Sequence, residues 1–203
     1  MIPPLKWTIV LGHSGHRVIR MTTTQSTTNP TAPTADPTAA PHPQYAHEEA
    51  ARLQWAKHAP DVYKAMVRLD VAARQGLDPV LLELVKIRAS QLNQCALCLD
   101  MHSKDALAAG ETPERLIQLS AWQESRHFYT EKELVALELT EAITVLQNGF
   151  VPDDVFAKAA GHFPEAELAQ LISAITVINA WNRFGVATRA VPGHYTPGQY
   201  KGL

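Results

Sequence analysis

Only two of the 203 residues are cysteine. That excludes a disulfide-stapled scaffold, because small folds held by bridges carry many more. No run approaches the roughly 18 consecutive apolar residues that a bilayer-spanning helix needs. Neither sign of charge dominates: 18 Lys and Arg stand against 20 Asp and Glu, a formal net charge of −2. No patch of Lys and Arg stands out, so nucleic acid is not an expected partner. No glycine-rich loop of the phosphate-cradling kind is present. Thr8 to Leu11 is too short for a secretory apolar region, and Arg17 and Arg20 follow it without a clear cleavage site, so no export signal is read. A Cys-x-x-Cys pair in an otherwise thiol-free chain reads as a site in a reducing compartment, and the cytoplasm is the expected location.

Large apolar side chains are nearly missing from residues 22 to 43, TTTQSTTNPTAPTADPTAAPHP. Such a segment cannot bury enough surface to offset its ordering entropy, and residues 1–45 are expected to be a disordered or loosely ordered tail. Met21 stands directly before the low-complexity stretch. It is either the biological start, or residues 1 to 20 are a strand or arm that docks on a partner subunit.

From Ala46 onward the texture is helical and no stretch alternates convincingly with period two. Asp61 to Gln75 carries Val62, Ala65, Met66, Leu69 and Ala73 on one face. Asp78-Pro79 is a start signal, with Asp as N-cap and Pro at the first helical position, for a helix reaching Leu92. Cys98 to Ala109 precedes Gly110, and Thr112-Pro113 opens a short helix. Thr130 to Glu133 fits a capping box ahead of Leu134 to Gln147, which ends at Asn148-Gly149. Pro152 to Ala160 stops at Gly161, and Pro164 to about Phe184 is the last long helix. The expected architecture for residues 46–203 is all-α with about seven or eight helices. The last helix is apolar around much of its circumference, which places it at the centre of the core or at a subunit interface.

The chemistry lies in CALCLDMH, residues 95 to 102. On a helix Cys98 and His102 lie about 300° and 340° round from Cys95, so all three share one face. Cys98 and His102 are four apart, the spacing at which helical side chains meet. A thiol beside an imidazole can pass its proton to it, and the thiolate is the reactive form. A second thiol three residues away can close a disulfide. The same residues permit two other readings: two small buried core side chains, or a zinc site of Cys95, Cys98, His102 and one further ligand, for which no second Cys pair exists. A helix terminus favours Cys95 as the reactive thiol, whereas the adjacent histidine favours Cys98. Glu83, flanked by Leu82 and Leu84, lies about 18 Å from Cys95 along a straight helix. A break at Gln91 to Gln94 would fold it back, where a carboxylate would orient His102 and raise its basicity. Taken alone, Glu83 reads as a solvated charge balancing Lys86 or Arg88. His127, near Trp122, Phe128 and Tyr129, has no evident partner and reads as structural; Asn179, Trp181, Asn182 and Arg183 read either as site neighbours or as a capped helix end.

The pattern Glu83, Cys95, Cys98, His102 (E-x11-C-x-x-C-x-x-x-H) resembles the AhpD-like alkylhydroperoxidase family, within the carboxymuconolactone decarboxylase superfamily. INAWNRFGVATRAVPG at 178 to 193 is similar to the same group. The resemblance spans about residues 60 to 190. It implies an AhpD-like helical bundle that assembles into trimers or hexamers, and a dithiol-dependent hydroperoxide reductase with no metal, flavin or nucleotide cofactor. It implies Cys98 as the peroxide-attacking thiol, Cys95 as the resolving thiol, and His102 with Glu83 as the proton relay. A lipoyl-type dithiol is the implied reductant. Leu97 departs from the family pattern, where a second histidine precedes the second cysteine. Two other functions stay open: a carboxymuconolactone decarboxylase-type enzyme, whose relatives lack the cysteine pair, and a non-catalytic oligomeric thiol redox sensor or binding module.

Overall fold

A computed structural model describes residues 8–11, 17–20, 50–147 and 149–199. Met21, residues 22 to 43 and Asn148 lie outside the described residues. Within residues 1–46, which form a unit of their own, β1 (Thr8–Leu11) pairs antiparallel with β2 (Arg17–Arg20), Thr8 opposite Arg20 and Leu11 opposite Arg17.

Residues 47–203 form the second unit, and its described residues hold eight α-helices and two short 3-10 turns. The helices are α1 (Trp55–His58), α2 (Pro60–Ala73), α3 (Pro79–Leu92), α4 (Ala96–Ala108), α5 (Pro113–Gln118), α6 (Glu131–Thr144), α7 (Asp153–His162) and α8 (Glu165–Thr188). The fold of this unit is all-α. Its starts follow from capping chemistry. The Asp78 carboxylate accepts from Leu81 N at 2.9 Å, satisfying one of the orphan donors at the start of α3, with Pro79 in the first turn. At α6, Glu133 N donates to Thr130 Oγ1 while Thr130 N donates to Glu133 Oε2, a reciprocal pair.

Two helices run past their expected ends. α7 continues through Gly161 to His162. The stop comes instead from Pro164, which disfavours helical backbone at the residue before it; Phe163 is extended, at φ −123° and ψ 127°. α8 extends to Thr188 and ends on Arg189 in the left-handed region. Gly185 is carried inside α8 without breaking it.

α8 is central. It packs against α2, α3, α4, α6 and α7, and Leu171, Ile175 and Ile178 on it are fully buried. One apolar cluster joins α3, α6, α7 and α8 through Leu81, Val85, Leu139, Phe163 and Leu171. A second joins Leu84, Ile87, Leu119, Trp122 and Leu137. Each such side chain contributes on the order of 1.5–3 kcal/mol by leaving water. Among the described residues no helix is long and apolar enough to cross a membrane.

Candidate active site

The turn between α3 and α4 decides where the thiols sit. α3 ends at Leu92, Asn93 caps it, and Gln94 adopts a left-handed φ of 55°. The chain reverses there, so α4 packs back along α3. Buried amides from α8 hold the turn. Asn93 Nδ2 donates to Asn179 Oδ1 and Asn182 Oδ1, both at 2.9 Å. Asn182 Nδ2 donates to Ser90 Oγ at 3.0 Å, and Asn179 Nδ2 to Thr144 Oγ1 at 3.0 Å. Polar groups this deep need such partners, because an unpaired one costs about 1–3 kcal/mol. The network ties α3, α6 and α8 to the residues just before the first cysteine.

Cys95 is the N-cap of α4, and Cys98 lies in its first turn. The two are joined as a disulfide, with their Cα atoms 5.4 Å apart. Cys95 is 1% exposed and packs with Ala89 and Ile178, with Trp181 against them. Gly185 of α8 covers the pair: a Cβ there would lie 2.7 Å from Cys95 Sγ and 3.6 Å from Cys98 Sγ. Cys98 lines a cleft of about 240 Å³ together with Glu83, His102, Lys86, Asp105 and Tyr195.

Glu83 and His102 meet in this cleft. His102 Nδ1 stands 2.8 Å from Glu83 Oε2. An ionised carboxylate only accepts, so the contact places a proton on Nδ1, and in the neutral ring Nε2 is then the accepting nitrogen. His102 sits one helical turn beyond Cys98, on the same face of α4. Glu83 also has Lys86 Nζ 4.0 Å away, and Lys86 reaches Asp70 at 3.8 Å. The Lys86 side chain is only 7% exposed, and a buried ammonium is tolerable because carboxylates surround it.

Asp105 is the third group. Its ligand oxygen lies within 4.8 Å of those of Glu83 and His102, the spacing of a cluster able to take a metal ion. These atoms are already engaged, however: the Tyr195 hydroxyl donates to Asp105 Oδ2 at 2.7 Å, and Gly198 N to Oδ1 at 3.1 Å. Burial first, then the hydrogen bond from Tyr195 to Asp105 and the charge of that carboxylate, push the Tyr195 phenol far above its ordinary value. The upper part of the cleft is aromatic. Trp55 stacks on Phe184 with centroids 3.9 Å apart, and Tyr63 and Trp181 meet edge to face.

The structure brings Glu83, Cys98 and His102 to one cleft, with Cys95 behind. It brings Trp181 to the cleft wall and assigns Asn179 and Asn182 to the supporting network. His127 is exposed, with its ring 4.6 Å from that of Phe128. Asp105, Tyr195 and Gly185 are additions to the expected site. The spacing of Asp105, three residues after His102, could have flagged it; Tyr195 had no local signal, and Gly185 only the oddity of a glycine inside a long helix.

Comparison with known proteins bears on this geometry. The sequence model of the Carboxymuconolactone decarboxylase family matches residues 60–142. The uncharacterized protein YdfG of Bacillus subtilis (strain 168) is 39% identical over 137 residues, 67% of this chain and 92% of that protein. The uncharacterized protein YnjA of Escherichia coli (strain K12) is 32% identical over 56% of this chain and 62% of its own length. A crystal structure from Agrobacterium tumefaciens, of a protein of unknown function named as a candidate antioxidant defence protein AhpD, superposes with a TM-score of 0.69 at 34% identity. The match covers 72% of this chain and all of that one. An alkylhydroperoxidase AhpD core structure from Ralstonia eutropha JMP134 shares the fold, with a TM-score of 0.60 at 16% identity over 69% of this chain and 75% of that one.

Proposed function

The chain belongs to the carboxymuconolactone decarboxylase family, and on that premise we propose that it is a thiol-dependent hydroperoxide reductase working through Cys98 and Cys95. One observation carries the reading: the 2.8 Å contact between Glu83 and His102, one helical turn from a cleft-lining cysteine that is disulfide-bonded to a buried second cysteine. A carboxylate that fixes the imidazole tautomer leaves Nε2 to take the thiol proton, which is how a nucleophile and its base are commonly oriented. Accessibility favours Cys98 as the attacking thiol over the more deeply buried Cys95. The first turn of α4 adds the positive end of its dipole to the Cys98 thiolate.

In the cycle, reduced Cys98 gives its proton to His102. The thiolate attacks the terminal peroxide oxygen, the O–O bond breaks, and Cys98 becomes a sulfenic acid while the other oxygen leaves as alkoxide and is protonated to the alcohol. The Cys95 thiol attacks the sulfenic sulfur and releases water. An external dithiol, of the lipoyl type, then reopens the disulfide and is itself oxidised. Lactone decarboxylation gives the cysteine pair no task.

The test is hydroperoxide consumption with dihydrolipoamide as reductant. Cys98→Ser and Cys95→Ser should each abolish turnover. A Cys98→Ser protein that consumes hydroperoxide as fast as the parent removes Cys98 from its role. Carbon dioxide release from carboxymuconolactone that survives loss of both cysteines would overturn the whole reading.

A further inference from the structure

We propose that Tyr195 is a catalytic acid in this cleft, delivering the proton to the leaving oxygen of the hydroperoxide. The proposal rests on the peroxidase reading above and adds a residue to it.

Displacement at a peroxide oxygen is in line: the sulfur approaches opposite the bond that breaks. The leaving oxygen therefore lies beyond the attacked oxygen, away from Cys98 Sγ. His102 Nε2 must be at the sulfur to take the thiol proton. A second proton donor, placed farther along the cleft, meets the departing alkoxide. The adjacent position on the cysteine turn, Leu97, is apolar and lines the cleft, so that turn supplies none. Lys86 is engaged with Glu83 and Asp70, and Arg74 reaches Asp70 at 4.0 Å.

Tyr195 comes from the segment after α8 and reaches the cleft through a set of bonds to α4, the helix that carries Cys98 and His102. Gly193 N donates to Asp100 Oδ2 at 2.9 Å, and Lys104 Nζ to the Tyr195 carbonyl at 3.0 Å. The Tyr195 hydroxyl donates to Asp105, and Gly198 N donates to that hydroxyl at 3.2 Å. The residue is 8% exposed, so the phenol is fixed rather than solvated. Burial keeps it protonated throughout the physiological range, so a proton is present for the departing alkoxide, which is the stronger base of the two.

The step balances as follows. A sulfur lone pair of the Cys98 thiolate forms the S–O bond, and the O–O electron pair goes to the leaving oxygen. That oxygen takes the Tyr195 proton and departs as alcohol. The phenolate regains a proton through Asp105 from His102, which holds the one released by the Cys98 thiol and has its ring nitrogen within 4.8 Å of the Asp105 carboxylate. The net change is thiol plus hydroperoxide to sulfenic acid plus alcohol.

The test compares two oxidants whose leaving groups differ in basicity. Reduced protein is mixed in stopped flow with tert-butyl hydroperoxide, which expels an alkoxide, or with peracetic acid, which expels acetate and needs no acid. Disulfide formation is followed by the fluorescence of Trp181, which packs against the cysteines. Tyr195→Phe should slow the tert-butyl hydroperoxide reaction about 100-fold and the peracetic acid reaction less than about fivefold, the span general acids usually cover. Asp105→Asn should show the same selectivity, at about 10-fold on the hydroperoxide. If both variants slow the two oxidants by equal factors, or neither variant slows either, Tyr195 is not the acid. If the parent protein is oxidised by neither reagent, the peroxidase reading itself has failed and takes this one with it.

Discussion

Gly185 holds the backbone of α8 so close to Cys95 that a β-carbon there would lie 2.7 Å from its sulfur. The sulfur is buried and tied to Cys98, so it cannot swing aside as the end of a flexible side chain would. Alanine inside a helix normally gains about 1 kcal/mol over glycine. Overpacking a closed core costs about 1–3 kcal/mol, and the steric term should win. Gly185→Ala should lower the stability of the oxidised protein by up to about 2 kcal/mol, the difference of those two magnitudes. Reduction frees Cys95 to rotate, so the loss should shrink in the dithiol form. Urea denaturation with and without reductant reads both values, and equal losses would remove the disulfide from the explanation.

Glu83 is placed to fix the His102 tautomer. Glu83→Gln keeps the shape but removes the charge, and an amide that donates to Nδ1 would select the tautomer with the proton on Nε2, which cannot then take the thiol proton. The rate of disulfide formation in the reduced protein should fall about 10- to 100-fold, as for loss of a positioned acid–base partner. Lys86 loses one of its two carboxylate neighbours, which should cost stability on the order of 1–2 kcal/mol. Stopped-flow fluorescence checks the first effect and denaturant titration the second. A variant with unchanged oxidation rate would show that the contact is structural only.

The turn that presents the cysteines depends on Asn182, which accepts from Asn93 and donates to Ser90 in a fully buried setting. Asn182→Ala removes both bonds, while Asn93 keeps Asn179 and the Ala89 carbonyl and Ser90 keeps the Lys86 carbonyl; it should cost about 1–3 kcal/mol, the net worth of two hydrogen bonds. It should also slow thiol chemistry, because Cys95 loses its fixed entry into α4. Gln94, two residues after the end of α3, works in the other direction. Its left-handed φ of 55° costs a non-glycine residue about 1 kcal/mol. Gln94→Gly should recover up to about 1 kcal/mol, reduced by the extra chain entropy of glycine. Chemical denaturation of the two variants should give opposite signs.

What was legible in the sequence follows from the range of the interactions. The starts of α3, α5 and α6 are set by side chains three residues from the groups they cap, so Asp78, Thr112 and Thr130 were readable directly. The Cys98–His102 face of α4 is fixed by helical geometry alone. The return of Glu83 was readable only as a possibility, since it needs the break at Gln94 and the amides of α8 some 90 residues later. The end of α8 lies beyond Phe184, because the helix runs on through Gly185 and closes only where Arg189 turns left-handed. Tyr195 left no local signal: its partner Asp105 is 90 positions away, and only the tertiary fold joins them.

Tyr129 offers a test of burial that is independent of the thiols. Its hydroxyl donates to the Arg115 carbonyl at 2.6 Å, and the residue is 7% exposed. Burial chiefly pushes its pKa up to about 12, against an opposing pull from Arg115. The folded state thus holds the phenolic proton more tightly than the unfolded chain, which releases it near pH 10. Below pH 10 both states are protonated and the stability is fully present. Between pH 10 and 12 the unfolded state binds fewer protons, so stability falls with rising pH, by at most about 1.4 kcal/mol per pH unit from this one group. Tyr195 is shifted in the same direction and contributes a second such slope. Denaturant midpoints measured from pH 8 to 11 should decline at the alkaline end, and Tyr129→Phe should flatten the decline while lowering stability at pH 8 by about 1 kcal/mol, the usual net worth of one hydrogen bond. An undiminished slope in that variant would mean that the phenol ionises freely in the fold, and that its burial is not what holds the proton.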